Sequence, residues 1–560
     1  MIAPNIGNNE HERYVFVADE VVFQVLHPPV TDRESEAAMR ARIIAAIVNF
    51  LRPGGGIEIG LQLAENDWKN RLAPPTANSR IVTFSSLTQL EGSERFSLIP
   101  IKLIRPDPQS FTQADVINLL KDIYTDLRDS FIASNGDDDN DDEDGNDDKK
   151  DNREGKDDRE EERDEEDRGN KDDRLRPIPL DDTGEISLKS ISPNWLASDL
   201  HHGGATGGPG SLPASKPAPS AVPPQFLLEG PIDSLANYRR PDAQIAILDT
   251  MQPANFPASV QAIFSANPSM NVVPYIYPDL TPLSSYAQLP HHYQMPDHGT
   301  FIASIIRAIV PTAQVYLYEV LNSYGVGCFI SIAQGVVDAV IQRGTNTPAL
   351  ILNCSFMLDD DLQDLDIEME ILKRRNIRNL LRTSMRDVFD WVTRTSNLNV
   401  VVVASAGNDS LQGNRKDARY PAAFNDVVSV AALPKNYPKS SGKYRYASYS
   451  NRSHSREPNK GSAYSIATFG GELISGSSSP REGVLGVYIG EVPTQNSDGT
   501  FSQTPPANVT SWAEWSGTSF SAPIISGLLA LPHIPQVTAT TSSDPYLTTD
   551  DGHVIRVRQG

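Results

Sequence analysis

Between residues 226 and 530 the chain alternates short, continuously apolar runs with longer segments of helical periodicity. Strands that are apolar on both faces are typical of parallel sheets, because helices cover both sides of such sheets. The alternation therefore predicts an α/β fold with a doubly wound, mainly parallel sheet. The runs that we interpret as strands read AQIAILD, AQVYLYEVL, PALILNCSF and NVVVVASAG.

Polar residues stand at the ends of these predicted strands and at the starts of the helices. Asp249 directly follows IAIL, Asn408 follows VVVVASAG, and His298 opens the helix HGTFIASII. Ser519 lies in EWSGTSFSAP, where small residues lead into an apolar helix and Pro523 fits its first turn. The carboxyl ends of parallel strands form one edge of a sheet, so we expect these side chains to meet there.

The four residue types suit nucleophilic catalysis. A serine hydroxyl becomes nucleophilic when a neutral imidazole takes its proton, and a carboxylate on the other ring nitrogen fixes the tautomer. An asparagine amide and a backbone N–H at a helix start can stabilise the oxyanion. Taken singly, the same residues have structural interpretations: Asp249 as a turn residue or cap, His298 as a partly buried imidazole and Ser519 as a cap.

Four motifs together resemble those of the subtilisin-like serine proteases, the subtilase family. AILDT is similar to that family's aspartate motif, HGTFIAS to its histidine motif, ASAGND to its oxyanion motif and SGTSFSAP to its serine motif. The order Asp, His, Ser along the chain is also the subtilase order. The resemblance covers roughly residues 240–531.

The resemblance implies a serine endopeptidase that works through an acyl-enzyme on polypeptide substrates. Its implied triad is Asp249, His298 and Ser519, with Asn408 at the oxyanion. The segments ILNCSF and ASAG resemble the borders of the family's substrate cleft, which implies substrate-binding roles for Ser355, Phe356 and Ala406. The alternative is a subtilase fold that has lost activity and serves as a binding or scaffold protein.

The chain departs from the family pattern at several positions next to these motifs. Met251 stands where the family usually has glycine, and Phe301 and Ser304 replace a histidine and a glycine of the histidine motif. Met357 also follows Ser355 and Phe356 where the family usually has a glycine. Because that glycine backbone usually borders the substrate, its replacement changes the expected shape of the pocket.

Composition divides the rest of the chain. Residues 1–134 combine strand-like and helical segments and predict an α+β domain, which the resemblance allows as a prodomain bound to the cleft; a partner-binding module is the alternative. Residues 135–225 predict a disordered linker, because 136–174 are strongly acidic and 203–224 are rich in Gly, Pro, Ala and Ser. Residues 226–560 are the predicted peptidase domain.

Charge and cysteine content exclude several classes of protein. Residues 136–174 hold 22 acidic and 9 basic residues, so they carry more than half of the net charge of −23, and this acidity argues against nucleic-acid partners. Two cysteines cannot form a disulfide scaffold. The sequence shows no signal peptide or membrane-spanning run, which favours a cytoplasmic location.

No cofactor is expected from the sequence. Three histidines and an aspartate in HHYQMPDH imitate a zinc cluster, but the helical pair of histidines typical of such sites is missing. A structural calcium ion is compatible with the family, although no residue pattern marks a specific site.

Overall fold

A computed structural model describes most of the predicted peptidase region and much of the chain before it. The described residues are 16–30, 33–52, 71–77, 79–84, 95–104, 113–135, 177–198, 211–220, 222–229, 232–251, 256–265, 275–276, 293–343, 349–358, 382–395, 398–410, 415–436, 439–440, 443–453, 465–474, 479–496, 500–502, 504–533 and 553–559. The acidic run 136–174 and residues 203–210 lie outside them, so their predicted disorder stays a prediction.

The strands and helices follow one another along these ranges. The strands are β1 (Phe16–Leu26), β2 (Val82–Phe84), β3 (Phe96–Lys102), β4 (Ile178–Pro179), β5 (Ser187–Ser198), β6 (Ala214–Ser215), β7 (Phe226–Leu228), β8 (Gln244–Asp249), β9 (Tyr275–Ile276), β10 (Val315–Glu319), β11 (Val326–Cys328), β12 (Leu350–Cys354), β13 (Met357–Leu358), β14 (Val400–Ser405), β15 (Val427–Leu433), β16 (Lys439–Ser440), β17 (Lys443–Tyr444), β18 (Ser465–Phe469), β19 (Glu472–Leu473), β20 (Pro480–Glu482), β21 (Val484–Val487), β22 (Trp512–Trp515), β23 (His553–Val554) and β24 (Val557–Gln559). The helices are α1 (Arg33–Leu51), α2 (Gln113–Asn135), α3 (Ala258–Ser265), α4 (His298–Ile309), α5 (Phe329–Arg343), α6 (Thr383–Arg394) and α7 (Thr518–Ala530).

The larger sheet has eight strands in the order β23-β18-β15-β14-β12-β8-β10-β9, and all the neighbouring pairs are parallel. Helices α4 and α7 pack against each other, α5 packs against β8, and α6 packs against β14. The four apolar runs predicted as strands form β8, β10, β12 and β14, whose residues are almost all buried. The predicted parallel α/β architecture is therefore confirmed.

A second, antiparallel sheet is built mainly from the N-terminal region, in the order β11-β5-β1-β3-β2. Its strand β5 pairs with β1 along most of its length, yet β5 comes from the segment that we predicted as linker. That prediction is wrong for residues 187–198. The strand was missed because one of its faces is rich in serine and asparagine, and Ser190 and Asn194 bind other parts of the protein instead of solvent.

The sequence predicts the N-terminal region as a separate domain, but the structure does not show one. Strand β5 continues into the peptidase region. Its last residues lie between β11 on one side and β13 on the other, antiparallel to both. Buried residues of both regions also belong to one continuous hydrophobic core.

Polar contacts fix this junction. Lys189 Nζ lies 3.0 Å from Asp387 Oδ2 on α6, and both side chains are largely buried. Gln24 Nε2 donates to the same carboxylate at 2.6 Å. The side chain of Asn194 accepts the N–H of Ile330 in the first turn of α5, at 3.2 Å. Residues of the N-terminal sheet thus provide partners for polar groups of two helices in the peptidase region.

Two further pieces of the predicted linker are folded. Strand β4 pairs with β5, and β6, which lies in the Gly-, Pro- and Ser-rich stretch, pairs with β22. Composition failed here because a Gly-, Pro- and Ser-rich segment can still be ordered by backbone hydrogen bonds to strands distant in sequence. Among the described residues, no helix is long and apolar enough to cross a membrane.

Removing the buried carboxylate at the junction tests how firmly the N-terminal sheet is held. We expect Asp387→Ala to destabilise the chain by about 3 kcal/mol or more, because Lys189 and Gln24 both lose the buried carboxylate that they contact. The matched control is Asp426→Ala, which removes a pair with the exposed Arg394 and should cost less than about 1 kcal/mol. Chemical denaturation measures both, and equal effects of the two substitutions would contradict the expectation.

Candidate active site

Asp249 and His298 meet in the protein interior. His298 Nδ1 donates to Asp249 Oδ1 at 2.8 Å, and neither side chain is exposed. Asp249 ends β8, and His298 begins α4, so the carboxyl end of a strand and the start of a helix bring them together. Gly299 allows this approach, because a Cβ there would lie 2.2 Å from the Thr250 carbonyl oxygen.

Ser519 lies in the first turn of α7, as the motif predicted. Its hydroxyl donates to the Ser355 carbonyl oxygen at 3.2 Å, and the Ser355 hydroxyl donates in return to the Ser519 carbonyl oxygen at 2.9 Å. Asn353 donates to that same Ser355 hydroxyl at 2.8 Å. The nucleophile's backbone is thereby tied to the end of β12.

The predicted oxyanion residue has a fixed orientation. Asn408 Oδ1 accepts two hydrogen bonds from Thr518, one from its N–H and one from its hydroxyl, both at 2.9 Å. Because the side-chain oxygen is engaged, the amide nitrogen is the end that remains for a substrate. Gly407 has φ +110°, a conformation that favours glycine, and an added Cβ would meet Asn451 Nδ2 at 2.6 Å.

Asp409 anchors the loop that carries Asn408. It lies 3.0 Å from Lys416 Nζ and forms a second ion pair with Arg419. Burial alone would raise the pKa of this carboxyl, but the charges of Arg419 and Lys416 bring the pKa well below its usual range. The loop is therefore held by a buried carboxylate that stays ionised.

The three residues predicted to bind substrate are all buried. Ser355 contacts Ser519 as described, whereas the Phe356 and Ala406 side chains are at most 1% exposed. The Ala406 carbonyl oxygen accepts the Arg419 N–H at 2.9 Å. In this structure these two side chains line the core, and their assignment to substrate binding stays a prediction.

The strands beside the nucleophile are occupied by the chain itself. Ser198, the last residue of β5, is paired with Val326 of β11 and with Met357 of β13. Met357 lies only two residues after Ser355, whose carbonyl contacts the nucleophile. Strand β5 therefore enters the site as an extended peptide between two backbone edges.

Aromatic rings enclose the imidazole. The Trp515 ring lies edge-on to His298 at 5.3 Å between centroids, and Phe520 lies 5.4 Å away. Phe301 packs on both Trp515 and Phe520, at 5.5 and 4.7 Å. Phe301, one of the departures from the family pattern, is thus part of an apolar wall around the site.

Asp297, next to the imidazole, is a buried carboxyl that the sequence had raised only as a metal ligand. Its Oδ2 accepts the N–H groups of Ile489 and Gly490, and Oδ1 has no hydrogen-bond partner among the described residues. Burial raises the pKa of Asp297 to about 6, against the lowering effect of these hydrogen bonds.

Metal ligands and a reactive thiol find little support here. Within the described residues, no three His, Cys, Asp or Glu side chains come together as a metal site; His291 and His292 lie outside those residues. Cys354 is fully buried in β12, and burial raises the pKa of its thiol far above the usual range. It is a small buried residue of this strand.

Sequence reasoning missed residues that hold the site without carrying its chemistry. Thr518 orients Asn408, and Asn353 holds Ser355. Thr518 lay inside a quoted motif, so its position beside the nucleophile was the available signal. Asn353 had a weaker signal, an amide in an otherwise apolar strand.

The family comparison agrees with this geometry. Residues 284–552 match the model of the subtilase family, Peptidase_S8. This range contains His298, Asn408 and Ser519, while Asp249 lies before it. This part of the chain is similar to the subtilisin-like serine proteases, and the resemblance drawn from the motifs is confirmed.

Curated relatives share parts of this region. The chain is 26% identical over 156 residues to the thermostable alkaline protease of Halalkalibacterium halodurans (26% of this chain, 34% of the relative), and 25% identical over 148 residues to subtilisin DY of Bacillus licheniformis (25% and 44%). It is 30% identical over 144 residues to the minor extracellular protease Epr of Bacillus subtilis (24% and 18%). The matches thus span less than half of each relative.

One solved structure, titled as the crystal structure of a lanthipeptide protease, is 21% identical. The alignment covers 52% of this chain and 72% of that one, with a TM-score of 0.32.

Asp297 predicts a pH dependence of stability. Its pKa of about 6 in the fold lies above the value of about 3.8 expected in the unfolded chain. The folded state therefore binds this proton more tightly, and stability is lost as pH rises through about 6. Asp297→Asn should remove this loss, so its stability relative to the wild type should rise by up to about 3 kcal/mol between pH 4 and 7. Denaturation at several pH values measures this, and parallel curves would contradict it.

Proposed function

We propose that the chain is a serine endopeptidase whose nucleophile is Ser519. The observation that carries the proposal is the buried hydrogen bond between Asp249 and His298. It lies beside the helix start that bears Ser519. A carboxylate bound to Nδ1 leaves Nε2 as the nitrogen that can accept a proton. Family membership and the protease relatives support the same reaction.

Each step of the proposed hydrolysis can be assigned to a residue of the site. The Ser519 hydroxyl turns from Ser355 to the imidazole, which takes its proton as the oxygen attacks the peptide carbonyl carbon. Asn408 Nδ2 and the Ser519 N–H stabilise the oxyanion of the tetrahedral intermediate. His298 then protonates the leaving amine, and the acyl-enzyme is hydrolysed by water that His298 activates. The apolar rings around His298 keep water away and strengthen these interactions.

We further propose that the N-terminal region acts as an intramolecular inhibitor. The support is β5, whose end fills the space between β11 and β13 in the extended form that a peptide substrate takes. Its anchors on α5 and α6 hold it there. The partner-binding alternative for this region does not account for a strand beside the nucleophile.

The register of that strand indicates where the chain would cut itself. The two strands are antiparallel, so one residue toward the N-terminus in β13, from Leu358 to Met357, corresponds to one residue toward the C-terminus in β5, from Ala197 to Ser198. Two further steps back reach Ser355, the residue that contacts the nucleophile. Two further steps forward reach Leu200, which lies outside the described residues. We therefore propose that Ser519 hydrolyses the bond between Leu200 and His201, adding one water to give a carboxylate and an amine.

Intact mass spectrometry tests this proposal on the full chain. We expect the wild type to convert to fragments 1–200 and 201–560 at a rate independent of protein concentration, because the cut is intramolecular. Ser519→Ala should stay intact. A rate proportional to concentration, or a first cut elsewhere, would overturn the assignment of the bond.

Two substitutions distinguish the catalytic roles. Each variant carries a site for an unrelated, specific protease within residues 201–210, is cut there by that protease, and is then exposed to a fluorophosphonate. Ser519→Ala should not be labelled at all. Asn408→Ala should be labelled slowly, with kcat for a peptide reduced roughly 10²–10³-fold and KM little changed, because the lost hydrogen bond forms only as charge develops.

The inactive alternative gives a different result. It predicts that the wild type is neither labelled nor cut, although it is folded by circular dichroism. That outcome would overturn the proposed activity.

A further inference from the structure

A short segment before the family-matched region holds the loop that leads into the nucleophile. Ser211 N–H donates to the Ser516 carbonyl oxygen at 3.1 Å, and Ser516 N–H donates to Ser211 Oγ at 2.9 Å. The Trp515 indole N–H donates to the Ser211 carbonyl oxygen at 2.7 Å. All three residues are at most 2% exposed, so these groups have no access to water as a substitute partner.

The segment is fixed at its other end as well. Ser215 donates to Asn508 Oδ1 at 2.8 Å, and Lys216 lies 3.0 Å from Glu514. Residues 211–216 thus lie along β22 as an added edge strand. No sequence motif predicts this pairing with β22, because the segment belongs to the Gly-, Pro- and Ser-rich stretch.

The two residues that Ser211 contacts, Ser516 and Trp515, lie close to the oxyanion residue Asn408 and to the imidazole of His298. Ser516 is followed by Gly517 and then by Thr518, which holds Asn408 by two hydrogen bonds. Trp515 lies edge-on to the imidazole of His298. A shift of Trp515 and Ser516 would therefore move the oxyanion amide and the general base in the same event.

We propose that Ser211 is a positioning residue for the proposed peptidase reaction. The inference rests on the proposed function of Ser519. Ser211 does not touch a substrate; it acts by fixing Trp515 and Ser516. The cut proposed above, between Leu200 and His201, leaves Ser211 joined to the rest of the peptidase region.

Ser211→Ala is the decisive substitution, because it leaves the buried Ser516 N–H without its acceptor. We expect kcat and the fluorophosphonate labelling rate to fall roughly tenfold or more per cut chain, with KM changed less than twofold. Ser211→Thr, which keeps a hydroxyl, should recover most of the rate. The matched control is Ser215→Ala on the same edge strand, which should label within twofold of the wild type.

A second variant distinguishes a loss of positioning from a loss of folding. Trp515→Phe keeps a ring beside His298 but lacks the indole N–H that reaches Ser211, so we expect a smaller loss in kcat with the same split from KM. Thermal unfolding midpoints of all variants are measured alongside. Each variant is cut at the introduced site by the unrelated protease, as before, so that slow self-cleavage does not limit labelling.

The outcomes separate this inference from the proposed function. If the wild type is labelled and Ser211→Ala is labelled equally fast, the positioning role is overturned and the serine peptidase stands. Equal losses in Ser211→Ala and Ser215→Ala, or a loss that Ser211→Thr does not recover, would also overturn it. If the wild type is not labelled at all, both proposals fall.

Discussion

Hydrogen bonding at the buried start of α7 is the constraint on which the rest of the site depends. The first N–H groups of a helix have no partners within the helix, and burying them without partners is costly. Here Asn408 Oδ1 accepts the Thr518 N–H, and in the same turn the Ser355 hydroxyl donates to the Ser519 carbonyl oxygen. The residues that satisfy the helix start are also those that shape the site, so its stability and its chemistry share the same contacts.

The peptidase core was largely readable from the sequence because its signals are local. Apolar runs gave the parallel strands, and polar residues at their ends gave Asp249, His298 and Asn408. The folded pieces of the predicted linker were not readable. The acidic run separates β5 along the chain from its sheet neighbours β1 and β3. Some of its polar residues have partners across the junction, as Lys189 has in Asp387. Ser211 is ordered by a strand about 300 residues further along the chain, and no local pattern encodes such a partner.

The departure at Phe301 shows how the structure accommodates a change in a motif. Its ring fills the space against Trp515 and Phe520, and Gly486 leaves room on the remaining side, since a Cβ there would lie 2.8 Å from the ring. The residues that surround Phe301 therefore fit its ring. It exchanges a polar ring for an apolar one in the wall around His298.

Strand β5 and the segment around Ser211 are joined by residues 199–210, and this short connection sets the balance between them. While the chain is continuous, the strand in the cleft is present at a high effective concentration and dilution has no effect on it. Once the connection is broken, the same strand becomes a ligand of a separate molecule, held only by its own affinity. Under the proposed inhibition, the fraction of active protein then depends on the total concentration, because the strand rebinds in concentrated protein and dissociates on dilution.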